Sequence, residues 1–242
     1  MKKKLMFAFA HPDDETFATG GTIVHYQQQG LEIHLYCATK GEAGKTGHPP
    51  YCSKEDLPQV RQQELEKACD IIGVDHLYLR SFKDGQLSHT PELEDDLEDV
   101  ISAVQPDILV TFPPHGISGH ADHIRMQQLC SRLAHEERIS GLQSLYYVTR
   151  QNDNQDNQPP YGETLDQLDV IINVESTRKV VSEALQAHRT QNISVGRVFP
   201  GIFEGKLSGI PAENVYQVAW DAPQYAEKRK AQKRPYHSLF IT

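Results

Sequence analysis

The sequence predicts an α/β fold, a Rossmann-like, mostly parallel sheet with helices on both faces and an active site at the carboxyl ends of the strands. Three observations predict it. Apolar runs of strand length recur along the 242 residues, helical patterns separate them, and the residues able to do chemistry come directly after two of the runs. One domain over residues 1–242 is expected.

The first strand is the run 5–10, which follows Met1-Lys2-Lys3-Lys4. That basic start resembles a signal peptide, but the six apolar residues after it are fewer than the ~7–15 of a secretory core. Residues 32–38 are expected as the second strand, 77–79 as the third, 107–112 as the fourth, 142–148 as the fifth and 169–174 as the sixth. Ahead of the fourth, Thr90-Pro91-Glu92 reads as a cap, a first-turn proline and an acid at the positive helix end. Leu93, Leu97, Val100, Ile101 and Val104 then repeat at helical spacing until Pro106 ends the helix. Ile124, Leu129 and Leu133 mark another helix after the fourth strand. Gln151 to Gln158, with Pro159-Pro160, is too polar to bury and reads as an exposed loop. Further on, Gly201, Gly205, Gly209 and Pro211 leave only weak element signals.

Composition narrows the function. With 33 acidic and 24 basic side chains the formal charge is −9, the wrong sign for a dominant nucleic-acid role. No stretch approaches the ~20 apolar residues of a membrane span. The basic cluster Lys228-Arg229-Lys230, with Lys233-Arg234, reads as a solvated helix end or tail. Cys37, Cys52, Cys69 and Cys130 contain no Cys-x-x-Cys pair and read as reduced thiols in a cytoplasm.

His11-Pro12-Asp13-Asp14-Glu15 brings an imidazole and carboxylates to the end of the first strand. Such groups repel one another beside a core unless a cation or solvent sits among them. His115 through His123, including His120, Asp122 and His123, follows the fourth strand. Ligands of open α/β sheets bind where strand order reverses, so the two segments are expected to converge. Plainer readings exist, a turn for the first and a helix N-terminus with a capping aspartate for the second. Gly41-Glu42-Ala43-Gly44-Lys45-Thr46 resembles part of a phosphate-binding loop, but Thr39 stands where glycine is required and no helix follows directly. His25, His34, His48, His76, His89, His135 and His237 have no partner in the sequence and are given no function.

Together, His-Pro-Asp-Asp-Glu after strand one and His-x-Asp-His after a later strand resemble the PIG-L/LmbE-like zinc-dependent N-acetylglucosaminyl deacetylases. Thr39 to Gly44, Val60 to Leu65 and Ala187 to Gln191 also look like family segments, so the resemblance covers roughly residues 3–192 and leaves 193–242 as a C-terminal extension. The stretch Gly41 through Asp84 looks most like the bacillithiol-pathway deacetylases, which act on a malate-linked N-acetylglucosamine.

The resemblance implies metal ligands at His11, Asp14 and His123, three protein ligands that leave a position for water as catalytic zinc does. Ferrous iron also suits two histidines and a carboxylate. Asp13 is then the general base, and His120, steered and kept protonated by Asp122, stabilises the oxyanion and helps the amine depart. Glu42 and Arg61 match substrate-associated positions; Arg61 also stands at helical i, i+3 spacing from Glu64, which suits a structural pair. The expected reaction removes acetate from an N-acetylglucosamine conjugate such as N-acetylglucosaminyl malate. The rival readings are deacetylation of another acetylated sugar, such as a chitooligosaccharide, and a non-catalytic metal- or sugar-binding module. A homo-oligomer is compatible with the apolar segments 199–203 and 236–240.

Overall fold

The computed structural model describes residues 2–152 and 161–241, so most of the expected 151–160 loop lies outside the described residues. In chain order the elements are β1 (Lys4–Phe9), α1 (Asp14–Gln28), β2 (Glu32–Thr39), α2 (Leu57–Ile72), β3 (His76–Phe82) and α3 (Glu92–Val104). They continue with β4 (Ile108–Thr111), the short turn α4 (Gly116–Gly119), α5 (Ala121–His135), β5 (Ser144–Thr149) and β6 (Val170–Asn173). The last are α6 (Arg178–Ala187), α7 (Asn192–Val198), β7 (Glu213–Asp221) and α8 (Pro223–Lys230).

The strands form one seven-stranded sheet in the order β3-β2-β1-β4-β5-β7-β6. β1 to β5 pair in parallel, whereas β7 runs antiparallel to both β5 and β6. From β1 the chain moves outward through β2 to β3, then returns to place β4 on the other side of β1. The loops after β1 and β4 therefore leave the sheet side by side, at the point of reversal that forms a crevice. Right-handed crossovers place α1 and α2 on one face, where α6 joins them, and α3 and α5 on the other. β1, β2 and β4 form the centre of the apolar core, with every residue from Leu5 to Ala10 fully buried.

The expected strands all form. A seventh, β7, was not expected: most of its residues are only partly buried, so Glu213 to Asp221 carries no unbroken apolar run. It inserts between β5 and β6, making the sheet mixed. β3 is longer than the expected 77–79 because, as an edge strand, it is partly exposed and includes Arg80 and Ser81. Thr90 does not cap α3; its hydroxyl donates to the Gln86 carbonyl at 3.0 Å. Pro106 does end that helix, with Gln105 turned to a left-handed φ of 51°. The basic cluster is not wholly solvated either. Arg229 is buried, donating to both Asp221 oxygens, at 2.6 and 2.8 Å, and to the Tyr146 hydroxyl at 2.5 Å. Tyr236, Leu239 and Phe240 are buried, as are Phe199 and Ile202, whereas Phe203 is exposed. The four cysteines are free.

Candidate metal centre and active site

The buried strand β1 ends at Phe9, and the chain turns sharply at Asp13, whose φ of 112° is one an L-residue rarely adopts. This turn directs Asp14 back over the strand end. Across the crevice, the β4–α5 loop bends through Gly116 at φ 63°, where an added Cβ would stand 3.0 Å from that of His123. Phe112 stacks flat on the His123 ring at 4.0 Å. Both devices set the direction in which His123 points.

The two segments converge. Nδ1 of His11 lies 3.2 Å from Nε2 of His123, and Asp14 approaches these atoms at 3.5 Å through Oδ2 and 3.3 Å through Oδ1. Atoms bound tetrahedrally to an ion at ~2.0–2.1 Å stand roughly 3.3 Å from one another. The outer nitrogens assign the tautomers. Nδ1 of His123 is 3.0 Å from the Gly116 carbonyl, and Nε2 of His11 lies 3.1 Å from Asp84 and 3.2 Å from Asp122. Each outer nitrogen thus donates its proton, and the two inner nitrogens face each other, and a carboxylate, with lone pairs. With both imidazoles neutral, three donor atoms so arranged fit a divalent ion.

Asp122 is a correction. Sequence reasoning sets it beside His120, but its fully buried carboxylate accepts from His11 and from the amides of Gly85 at 2.7 Å and Leu87 at 3.0 Å. Only its backbone reaches His120, donating to Nδ1 at 3.2 Å. His120 therefore caps α5 through Nδ1 and carries its proton on Nε2. Nor does burial favour a charged His120, whose pKa it lowers.

Asp13 lines the same cleft, and burial raises its carboxyl to about 6, against the opposing pull of the Arg61 guanidinium. Arg61 is buried and stands 3.2 Å from Asp13, while it also donates to the carbonyls of Pro12 and Gly41. Its expected pairing with Glu64 does not form, because Glu64 binds the amide and hydroxyl of Thr190 at 2.9 and 2.6 Å. Glu42 accepts from the Asp84 amide at 2.8 Å and is absent from the residues that line the cleft.

Two residues went unassigned in the sequence. Asp84, in the turn after β3, has no spacing signal and reaches His11 only through the fold. Glu15 accepts from the Asp13 amide at 3.0 Å and from buried His188 at 2.9 Å, linking the first motif to the end of α6. His115 caps the α4 turn and stays outside the cleft lining.

The cleft encloses about 1170 Å³ and opens between the β1 and β4 loops, the end of β5 and α7. Its wall includes Arg150 and Arg197, neither of which has an ion-pair partner among the described residues. A mostly parallel sheet with an imidazole–carboxylate cluster at its point of reversal is a frame that suits a metal-assisted hydrolase.

A family model described as "PIG-L: GlcNAc-PI de-N-acetylase" matches residues 6–134, and the chain belongs to this family of metal-dependent N-acetylglucosaminyl deacetylases, which are amide hydrolases. It is 29% identical over 197 residues to a probable N-acetyl-alpha-D-glucosaminyl L-malate deacetylase 2 of Bacillus subtilis, covering 79% of this chain and 84% of the relative. It is also 29% identical over 231 residues to a 1D-myo-inositol 2-acetamido-2-deoxy-alpha-D-glucopyranoside deacetylase of Mycolicibacterium smegmatis, covering 78% and 80%. In fold it resembles N,N'-diacetylchitobiose deacetylase from Pyrococcus horikoshii, with a TM-score of 0.64, 22% identity and coverage of 89% and 83%. No helix among the described residues is long and apolar enough to cross a membrane.

Proposed function

We propose that the chain, acting as one deacetylase domain in a reducing cytoplasm, removes acetate from an N-acetylglucosamine conjugate with an anionic aglycone, N-acetylglucosaminyl malate first among them. The carrying observation is the set of donor atoms of His11, Asp14 and His123, 3.2–3.5 Å apart with lone pairs turned inward. These residues would hold the ion, which we take to be zinc from the donor set and the family. When bound, such an ion supplies Lewis acidity, polarising the acetyl carbonyl and acidifying water.

The chain's own residues do the rest. Asp13, with its carboxyl raised to about 6, is matched to accept the proton of attacking water near neutral pH. Arg61 holds that carboxylate in place and is a positioning residue in this reading. His120 donates from Nε2 as a neutral imidazole to the developing oxyanion, because its Nδ1 is taken by the Asp122 amide. Asp122 and Asp84 orient His11 from behind. The proton held on Asp13 then passes to the departing amine.

The malate assignment draws on the bacilli relative and on Arg150 and Arg197, cations able to meet the carboxylates of an aglycone at the cleft wall. Glu42 is left a supporting role through Asp84. The test is incubation of the purified, zinc-loaded chain with N-acetylglucosaminyl malate, N-acetylglucosaminyl inositol and diacetylchitobiose, with assay of the freed amine. The malate conjugate should give the highest kcat/KM. Preference for a neutral sugar overturns the aglycone assignment, and no amine from any substrate favours a binding module.

A further inference from the structure

We infer that the chain carries a second transition-metal site, made by Glu32, His34 and His76 at the opposite end of the sheet from the active site. Parallel pairing of β2 with β3 sets His34 directly across from His76, and their rings stack at 4.6 Å. Glu32, two residues before His34, points to the same sheet face. One of its oxygens, Oε1, lies 3.0 Å from Nε2 of His34 and 3.3 Å from Nε2 of His76. These separations are close to the roughly 3.3 Å edge of a tetrahedral zinc shell, and all three donor atoms lie within 4.8 Å of one another.

The ring of His34 is held on its far side. Its Nδ1 lies 3.3 Å from the Tyr78 hydroxyl, the kind of outer partner that fixes a ligating imidazole. His34 is buried, whereas the His76 side chain is 50% exposed, so an ion could enter from solvent and complete its shell with water. Two imidazoles and a carboxylate suit zinc and its neighbours rather than calcium or magnesium. Among the described residues, the Lys4 ammonium, which donates to the Val104 carbonyl at 2.7 Å, also acts on His34 and opposes a positive charge there. At ~3.3 Å per residue, the strand from His34 to Thr39 spans roughly 16 Å, which separates this site from the catalytic one. Its occupant would tie edge strand β3 to β2.

The test is titration of zinc chloride into the chelator-stripped full chain, counting bound ions by calorimetry. Wild type should bind about two ions, His123→Ala about one, and His123→Ala with His76→Ala none. His76→Ala alone should deacetylate within about two-fold of wild type while binding about one ion. The site is refuted if His123→Ala binds no zinc, or if adding His76→Ala leaves its stoichiometry unchanged. Because these counts are made without turnover, they stand apart from any failure of the deacetylase reading.

Discussion

Nε2 of His11 lies 3.2 Å from the Asp122 carboxylate, which is buried and braced by two backbone amides. The carboxylate thereby fixes the His11 tautomer, so that Nδ1 faces Asp14 and His123 as a lone pair. The side chain thus turns to His11, and only the Asp122 amide meets the His120 beside which the sequence sets it.

Asp122→Asn should therefore weaken zinc binding by ~10–100-fold, with much of the activity restored at saturating metal. Zinc affinity and kcat measured across a zinc series decide it. An unchanged affinity with a low kcat would return Asp122 to a direct part in proton transfer.

Asp13→Asn should keep its zinc and lose ~10²–10⁴-fold in kcat, since the base is removed while its hydrogen-bonding shape remains. His123→Ala should lose both the catalytic ion and the activity. Metal analysis and amine release on the same samples separate the two outcomes. Chelation of wild type should likewise abolish turnover, and added zinc should restore it.

Gly41→Ala tests the role of Arg61. At φ 66° the backbone already disfavours a side chain, and a Cβ there would fall 1.9 Å from the Arg61 guanidinium. Displacing that group leaves Asp13 without its charge partner, and a shift of about an ångström in a reacting group costs ~10²-fold. The expected result is a fall in kcat with zinc content unchanged.

His188 and Glu15 give a stability prediction. Burial lowers the His188 pKa, but Glu15 and Asp13 outweigh it and hold the value above its ordinary ~6.5. A raised folded value means that the stabilisation is complete below pH ~6.5 and is lost as pH rises through that folded value. Melting curves of wild type and His188→Gln should therefore differ most in mild acid and converge in alkali. A gap that widens with pH contradicts this.

Much of the candidate centre was legible because its residues occupy short motifs directly after buried strands. His11, Asp13, Asp14, His120 and His123 line the cleft where the two strand ends meet. What the spacing could not convey was partner choice. Asp122 lies two residues from His120, and Arg61 three from Glu64, yet both turn to groups far away in sequence. His34 and His76 had no visible partners because β-pairing joins residues 42 apart.

The sequence by itself determined the α/β class, six of the seven strands and the identity of the chemical groups, since burial periodicity and residue chemistry are local properties. Tertiary structure alone decided that β7 would insert between β5 and β6, that Asp84 and Asp122 would back His11, and that Arg61 would hold Asp13. The reason is physical: hydrogen bonds and ion pairs act over a few ångströms, and only the folded chain brings such distant residues that close.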